Sequence, residues 1–167
     1  MIRLRAAALG LDDCIAKIEA GAIILLVLSL TAVTFAQVVT RYVLNDPLIW
    51  SEELARYLFV WVSMIGAALA VRNGGHFGLD LLLRRMPAVR PALGPAVTIV
   101  TAFFLLVLLK SGIDETVLAS NQFAMTLPMR MEWAYLALPV GAGLMLFHLA
   151  IHVIQSPGMH ILNPPTK

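Results

Sequence analysis

Four stretches of this chain, each about twenty residues or longer, carry almost no charge. They run from Ala20 to about Thr40, from Trp50 to Val71 (uncharged after Arg56), between Arg90 and Lys110 with a continuation toward Ala119, and from Trp133 to Ile154. At 1.5 Å per residue, crossing about 30 Å of hydrocarbon takes roughly 20 helical residues. Composition agrees: of 167 residues 60% are hydrophobic and only 13% charged, with a mean hydropathy of +0.86. Soluble domains run near a quarter charged, and a water-soluble fold of this length has too little interior to hide so much apolar surface. Each span must be helical, because an open strand in lipid leaves its backbone groups unpaired. The runs do not alternate as barrel strands do. The expected fold is an all-α membrane protein: four transmembrane helices, at about 20–40, 50–71, 91–118 and 133–154, in a single membrane domain over 1–167.

The breaks between spans carry turn chemistry. Asn45-Asp46-Pro47 closes the first hairpin, and Ser51 reads as an N-cap with Glu52 and Glu53 in the first turn. Asn73-Gly74-Gly75 stops the second helix; Pro87, Pro91 and Pro95 bracket the start of the third. Pro128 precedes the fourth helix, and Pro139 lies inside it near Gly141 and Gly143, where it kinks the helix or opens close packing. His76 to Met86 is too short to span. His76, Asp80 and Arg84 fall at four-residue steps, so the segment reads as an amphipathic helix at the membrane surface between helices two and three. Its alternative is a tight polar loop. No cleavable signal peptide is expected, because Asp12, Asp13, Lys17 and Glu19 interrupt the apolar core one would need. With both termini cytoplasmic, the inner side holds eight of the 12 Lys and Arg, and Arg41, Arg56, Lys110 and Arg130 lie outside.

The densest polar cluster runs from Arg41 to Arg56 across the first hairpin. Glu52 and Arg56 share a helix face, and Glu53, about 100° round, is placed to reach Arg41. Headgroup anchoring, docking of a partner and a transport path are the three readings of this cluster. Thr34, Gln37 and Arg41 form a polar stripe suited to packing against a neighbour, and Ser63, Gly66, Ala67 and Ala70 form a small-residue face. His148 and His152 stand four apart near the end of helix four, with no acidic or cysteine partner nearby in sequence. Interfacial histidines are the expectation there, rather than metal or haem ligands. The charges fall near span boundaries, with no mid-membrane acid and no broken helix pair to mark an ion site. No nucleophile motif or phosphate loop is present, so no enzyme activity, metal or cofactor is expected. A net charge of +2 is too small to suggest nucleic acid, and the one cysteine, Cys14, excludes an internal disulfide.

The stretch from Arg41 to Asp80 resembles the small membrane subunit of the tripartite ATP-independent periplasmic (TRAP) transporters, the DctQ-like proteins. The residues that carry it are Arg41-Tyr42, Asn45, Pro47, Trp50-Ser51-Glu52-Glu53-Leu54-Ala55-Arg56-Tyr57, Trp61, Gly66-Ala67-Ala68, Arg72, Gly74-Gly75-His76 and Asp80. The resemblance implies a bacterial inner-membrane protein beside a larger membrane subunit. That partner carries organic anions, often carboxylates, on a sodium gradient, and a periplasmic binding protein delivers them. This chain would be the scaffold of the complex, embedded in membrane lipids and touching no substrate. Arg41, Asn45, Trp50, Glu52, Glu53, Arg56, Trp61, His76 and Asp80 would serve structure or the partner interface. Two other classes stay open: a stand-alone small multidrug-type exporter, which needs a membrane-buried acid, and a haem-binding four-helix redox protein, which needs facing histidines.

Overall fold

A computed structural model describes residues 2–73 and 90–155, with side chains over 9–73 and 95–154. Helix α1 is Ile2–Tyr42, α2 is Ser51–Arg72, α3 is Arg90–Ala119, α4 is the single turn Glu132–Tyr135, and α5 is Ala137–Gln155. Four helical segments are long and apolar enough to cross a membrane: Leu9–Tyr42, Ser51–Arg72, Pro95–Ala119 and Glu132–Ile154, the last counting α4 and α5 together. The chain is an all-α membrane protein with four spans. The surface helix expected at His76–Met86 lies outside the described residues, and so do His76 and Asp80.

Local chemistry sets the ends. Helix α1 begins well before Ala20, because polar residues bound an apolar window without stopping a helix. At 41 residues it is about 60 Å long. Between α1 and α2 the chain turns through Asn45, which adopts a left-handed φ of 53° that asparagine tolerates well. Ser51 is not the N-cap: Trp50 holds that place, and the Ser51 hydroxyl donates to the Leu48 carbonyl at 2.7 Å to close the preceding turn. The Asn73 amide caps α2 on the Leu69 carbonyl. Pro139 has no N–H to offer the Tyr135 carbonyl, and the helix breaks at that point, between α4 and α5.

The packing order is α1–α2–α5–α3. Ala68 of α2, Leu105 of α3, and Met145 and Leu149 of α5 form the buried core, with Met64 and Val71 against it. Two glycines set the spacing. A Cβ on Gly141 would stand 2.7 Å from the Met64 Cβ, and one on Gly112 would stand 3.0 Å from the Leu138 Cβ. The small-residue face is divided: Ala67 packs against the core beside the inward Ile65 and Ala68, whereas Ser63 and Ala70 are exposed and Gly66 looks onto open space.

These contacts also fix heights along the bundle. The end carrying the α1–α2 loop and the 120–131 loop is called the hairpin end, and the other the terminal end. Gly141 is level with Met64, and Gly112 meets Leu138 and Pro139, two to three residues closer to the hairpin end. Gly112 is therefore level with about residue 62, the middle of α2. Leu105, two turns toward the terminal end, joins Ala68, Met145 and Leu149 in the buried core.

Gly141→Val should lower thermal stability of the detergent-solubilised protein by about 1–3 kcal/mol, as overpacking does. Gly143→Val should leave the melting temperature nearly unchanged, since nothing lies within 4 Å of a Cβ there.

Candidate functional site

At the hairpin end, the residues expected to matter separate into two groups. Arg41 Nη2 donates to Glu52 Oε1 at 2.5 Å, and Gln37 Nε2 donates to the same oxygen at 3.1 Å. The partner of Arg41 is thus Glu52 and not Glu53, because the pair needs the α2 side chain on the face turned toward α1. Arg41 and Glu52 remain half exposed, so their attraction is modest. Asn45 and Trp50 are exposed in the connecting turn, and Arg56 is exposed on α2.

Glu53 faces the other way. It is buried, and its carboxylate accepts four hydrogen bonds. Oε1 takes the Tyr57 hydroxyl at 2.8 Å and the Met125 amide at 3.1 Å; Oε2 takes the Thr126 amide at 2.8 Å and the Thr126 hydroxyl at 2.5 Å. Two consecutive backbone amides therefore point at one carboxylate, which holds the 120–131 loop over α2. The loop itself is pinched by a bridge between Phe123 and Arg130. Trp61 reinforces the same seam: its Nε1 donates to the Trp133 carbonyl at 2.9 Å. Between Glu53, Arg56, Tyr57, Thr126 and Tyr135 lies a cavity of about 640 Å³ with mostly apolar walls.

The terminal end holds a cluster that the sequence reading missed. Arg72 Nε donates to Asp12 Oδ2 at 2.8 Å, and Arg72 Nη2 also bonds Asp13. His148 sits with its side chain fully enclosed, Nδ1 at 2.6 Å from Asp12 Oδ1 and Nε2 at 3.1 Å from Glu19 Oε1. A ring carrying both protons donates to both carboxylates, whereas a neutral ring can satisfy only one. His148 is thus not an interfacial histidine, and α1 supplies the acids that seemed to be missing. Both of its nitrogens are engaged, which removes the basis for a haem ligand at this position. His152 does not join the cluster: its Nε2 is buried with no partner among the described residues. The signal was present in the sequence. Asp12 and Glu19 are seven residues apart, two turns on one helix face.

Lys110, Asp114 and Glu115 of α3 are exposed, and all three lie in the half of the span Pro95–Ala119 nearer the hairpin end.

Residues 30–156 match the family of tripartite ATP-independent periplasmic transporters, DctQ component. The chain belongs to this family. The relatives of this DctQ-family chain include the sialic acid TRAP transporter small permease protein SiaQ of Vibrio cholerae. It is 31% identical over 123 residues, which cover 73% of this chain and 71% of that protein. The sialic acid TRAP transporter permease protein SiaT of Haemophilus influenzae is 35% identical over 123 residues; these cover 73% of this chain but only 20% of that protein. The C4-dicarboxylate TRAP transporter small permease protein DctQ of Rhodobacter capsulatus is 34% identical over 113 residues, 60% of this chain and 45% of that protein. A DctQ-family chain is a transporter component, and its fold is that of a multi-pass membrane protein.

Two substitutions test the ionic ends. His148→Ala leaves buried Glu19 without its partner and Asp12 with Arg72 alone, and should cost about 3–5 kcal/mol as broken buried pairs do; thermal unfolding in detergent should show a far larger drop than for His152→Ala. Glu53→Ala should free the 120–131 loop. Amide hydrogen exchange at Met125 and Thr126, whose N–H groups Glu53 holds, should then be at least tenfold faster than in the parent.

Proposed function

We propose that this chain is the non-catalytic scaffold subunit of a sodium-driven TRAP transporter that takes up organic anions, carboxylates above all. It packs beside the large transport subunit in a bacterial inner membrane, with both termini cytoplasmic, and works with a periplasmic substrate-binding protein. The observation that carries this reading is the match to a small permease protein along 71% of that protein's length. The match to 20% of a much longer permease supports work beside a larger membrane unit. Sialic acid and C4-dicarboxylates, named for the relatives, both carry carboxylates. An isethionate permease of Oleidesulfovibrio alaskensis, 33% identical over 39 residues, widens the class to a sulfonate.

The chemistry of the two ends favours bracing over conduction. At the hairpin end Glu52 is tied to Arg41 and Gln37, and Glu53 to a loop backbone. At the terminal end Asp12 and Glu19 are tied to Arg72 and His148. These groups hold helices and loops to one another, which is what a fixed subunit needs.

Deleting the chain from its host should abolish uptake of the anion that the system serves. A tagged copy should bring down a large polytopic TRAP permease, and the chain alone in liposomes should move nothing under a sodium gradient. Sodium-driven uptake of an organic anion by the purified chain would overturn the assignment.

A further inference from the structure

The cavity beside Glu53 changes from polar to apolar along the bundle. At its mouth, Glu52 and Arg56 stand one turn apart on one face of α2. Its floor is Val60 of α2 and Leu138 of α5. Val60 lies eight residues past Glu52, about 12 Å further along the helix. Leu138 stands at nearly the same height, since Gly141, three residues on, meets Met64, four residues past Val60. The spans begin at Ser51 and Glu132, so the mouth is at the membrane boundary and the floor is inside the hydrocarbon. A volume of about 640 Å³ falls within the roughly 300–1,000 Å³ of small-molecule sites, which likewise set a few placed polar groups in apolar walls.

The polar groups at the mouth are unevenly paired. Glu53 already accepts from Tyr57, Met125 and Thr126 on both oxygens. Glu52 is bound through Oε1 to Arg41 and Gln37, and its Oε2 accepts nothing among the described residues. Arg56 makes neither a hydrogen bond nor an ion pair among the described residues, although Glu52 is one turn away. A guanidinium left over at a membrane boundary suits a phosphate, which it can grip with two parallel N–H groups. Arg41 and Arg56 balance Glu52 and Glu53, so a phosphate alone would leave the mouth net negative. A head group that brings its own cation keeps it neutral.

We infer that this cavity is a phospholipid site selective for phosphatidylethanolamine. The lipid phosphate takes the Arg56 guanidinium, its ammonium donates to Glu52 Oε2, and one acyl chain runs down the apolar wall to Val60 and Leu138. The inference goes beyond the accessory role and does not rest on it. Phosphate and ammonium in this head group are two carbons apart, which suits a donor and an acceptor one helical turn apart. A choline head offers the carboxylate no N–H, and a glycerol head brings no cation. Both would leave Glu52 Oε2 unsatisfied beneath the bound lipid, and an unpaired acceptor is what makes a site reject a near match.

The test is lipid retention by the full chain, purified in mild detergent with whatever subunits accompany it. The preparation is equilibrated with equal amounts of phosphatidylethanolamine and phosphatidylglycerol of matched chains, washed, and its retained lipid counted per copy by mass spectrometry. The parent should keep phosphatidylethanolamine over phosphatidylglycerol by about tenfold, and Arg56→Gln should lower retention about tenfold, as the loss of a charge-assisted hydrogen bond does. Glu52→Gln should remove the preference between the two lipids. Lys110→Gln, at an exposed cation of α3 outside the cavity, should change nothing. If Arg56→Gln proves unstable, Val60→Phe, which fills the floor and leaves the charges alone, should show the same loss. Undiminished retention in Arg56→Gln or in Val60→Phe would overturn the inference, as would equal retention of the two lipids by the parent. A parent that copurifies with the large permease and holds no lipid sinks this inference alone, because partner side chains then fill the cavity. Lipid held in the absence of any permease sinks the accessory reading alone.

Discussion

Helix α1 is held by charge more than by apolar burial. Its buried side chains among the described residues are Asp12, Ala16 and Glu19, one stripe near the terminal end, and its long apolar stretch buries none. That follows from the solvent. Between helices in a bilayer the lipid tails are as apolar as leucine, so burying more leucine gains little. Polar contacts at the two ends do the joining instead. Arg41 and Gln37 reach Glu52 at one end; Asp12, Asp13 and Glu19 reach Arg72 and His148 at the other. The apolar length between them is left free to face tails or another protein.

The same logic orders the rest of the unit. Helices α2, α5 and α3 do share a packed core, and the closeness of that core depends on glycines where side chains would collide. The hairpin end is closed by one carboxylate, Glu53, that gathers two loop amides and two hydroxyls. A transporter component built in this way has its conformation settled by a few polar joints.

The sequence disclosed what depends on neighbours in the chain. Helix number, the hairpin at Asn45-Asp46-Pro47 and the break near Pro139 all arise from local rules, and each was legible. Partners across long separations were not. Arg41 has two adjacent glutamates to choose from, and only the orientation of α2 selects Glu52. Glu53 waits for Thr126, more than seventy residues away, and nothing around either residue announces the other. Asp12 and Glu19 were read as interruptions of a leader-like segment, although their two-turn spacing places them on one face toward His148. The segment with His76 and Asp80 lies outside the described residues, so its reading keeps its status as an expectation.

The two glycine contacts have a mechanical meaning as well. Helix α5 meets α2 through Gly141 and accommodates α3 through Gly112, at two different heights. Sliding α5 along its axis by one turn would bring Ala137 or Met145 opposite Met64, and either would drive a β-carbon into a gap that only hydrogen fits. The rod is keyed against piston motion on both flanks. Any piston stroke of α5 would have to carry α2 and α3 along with it.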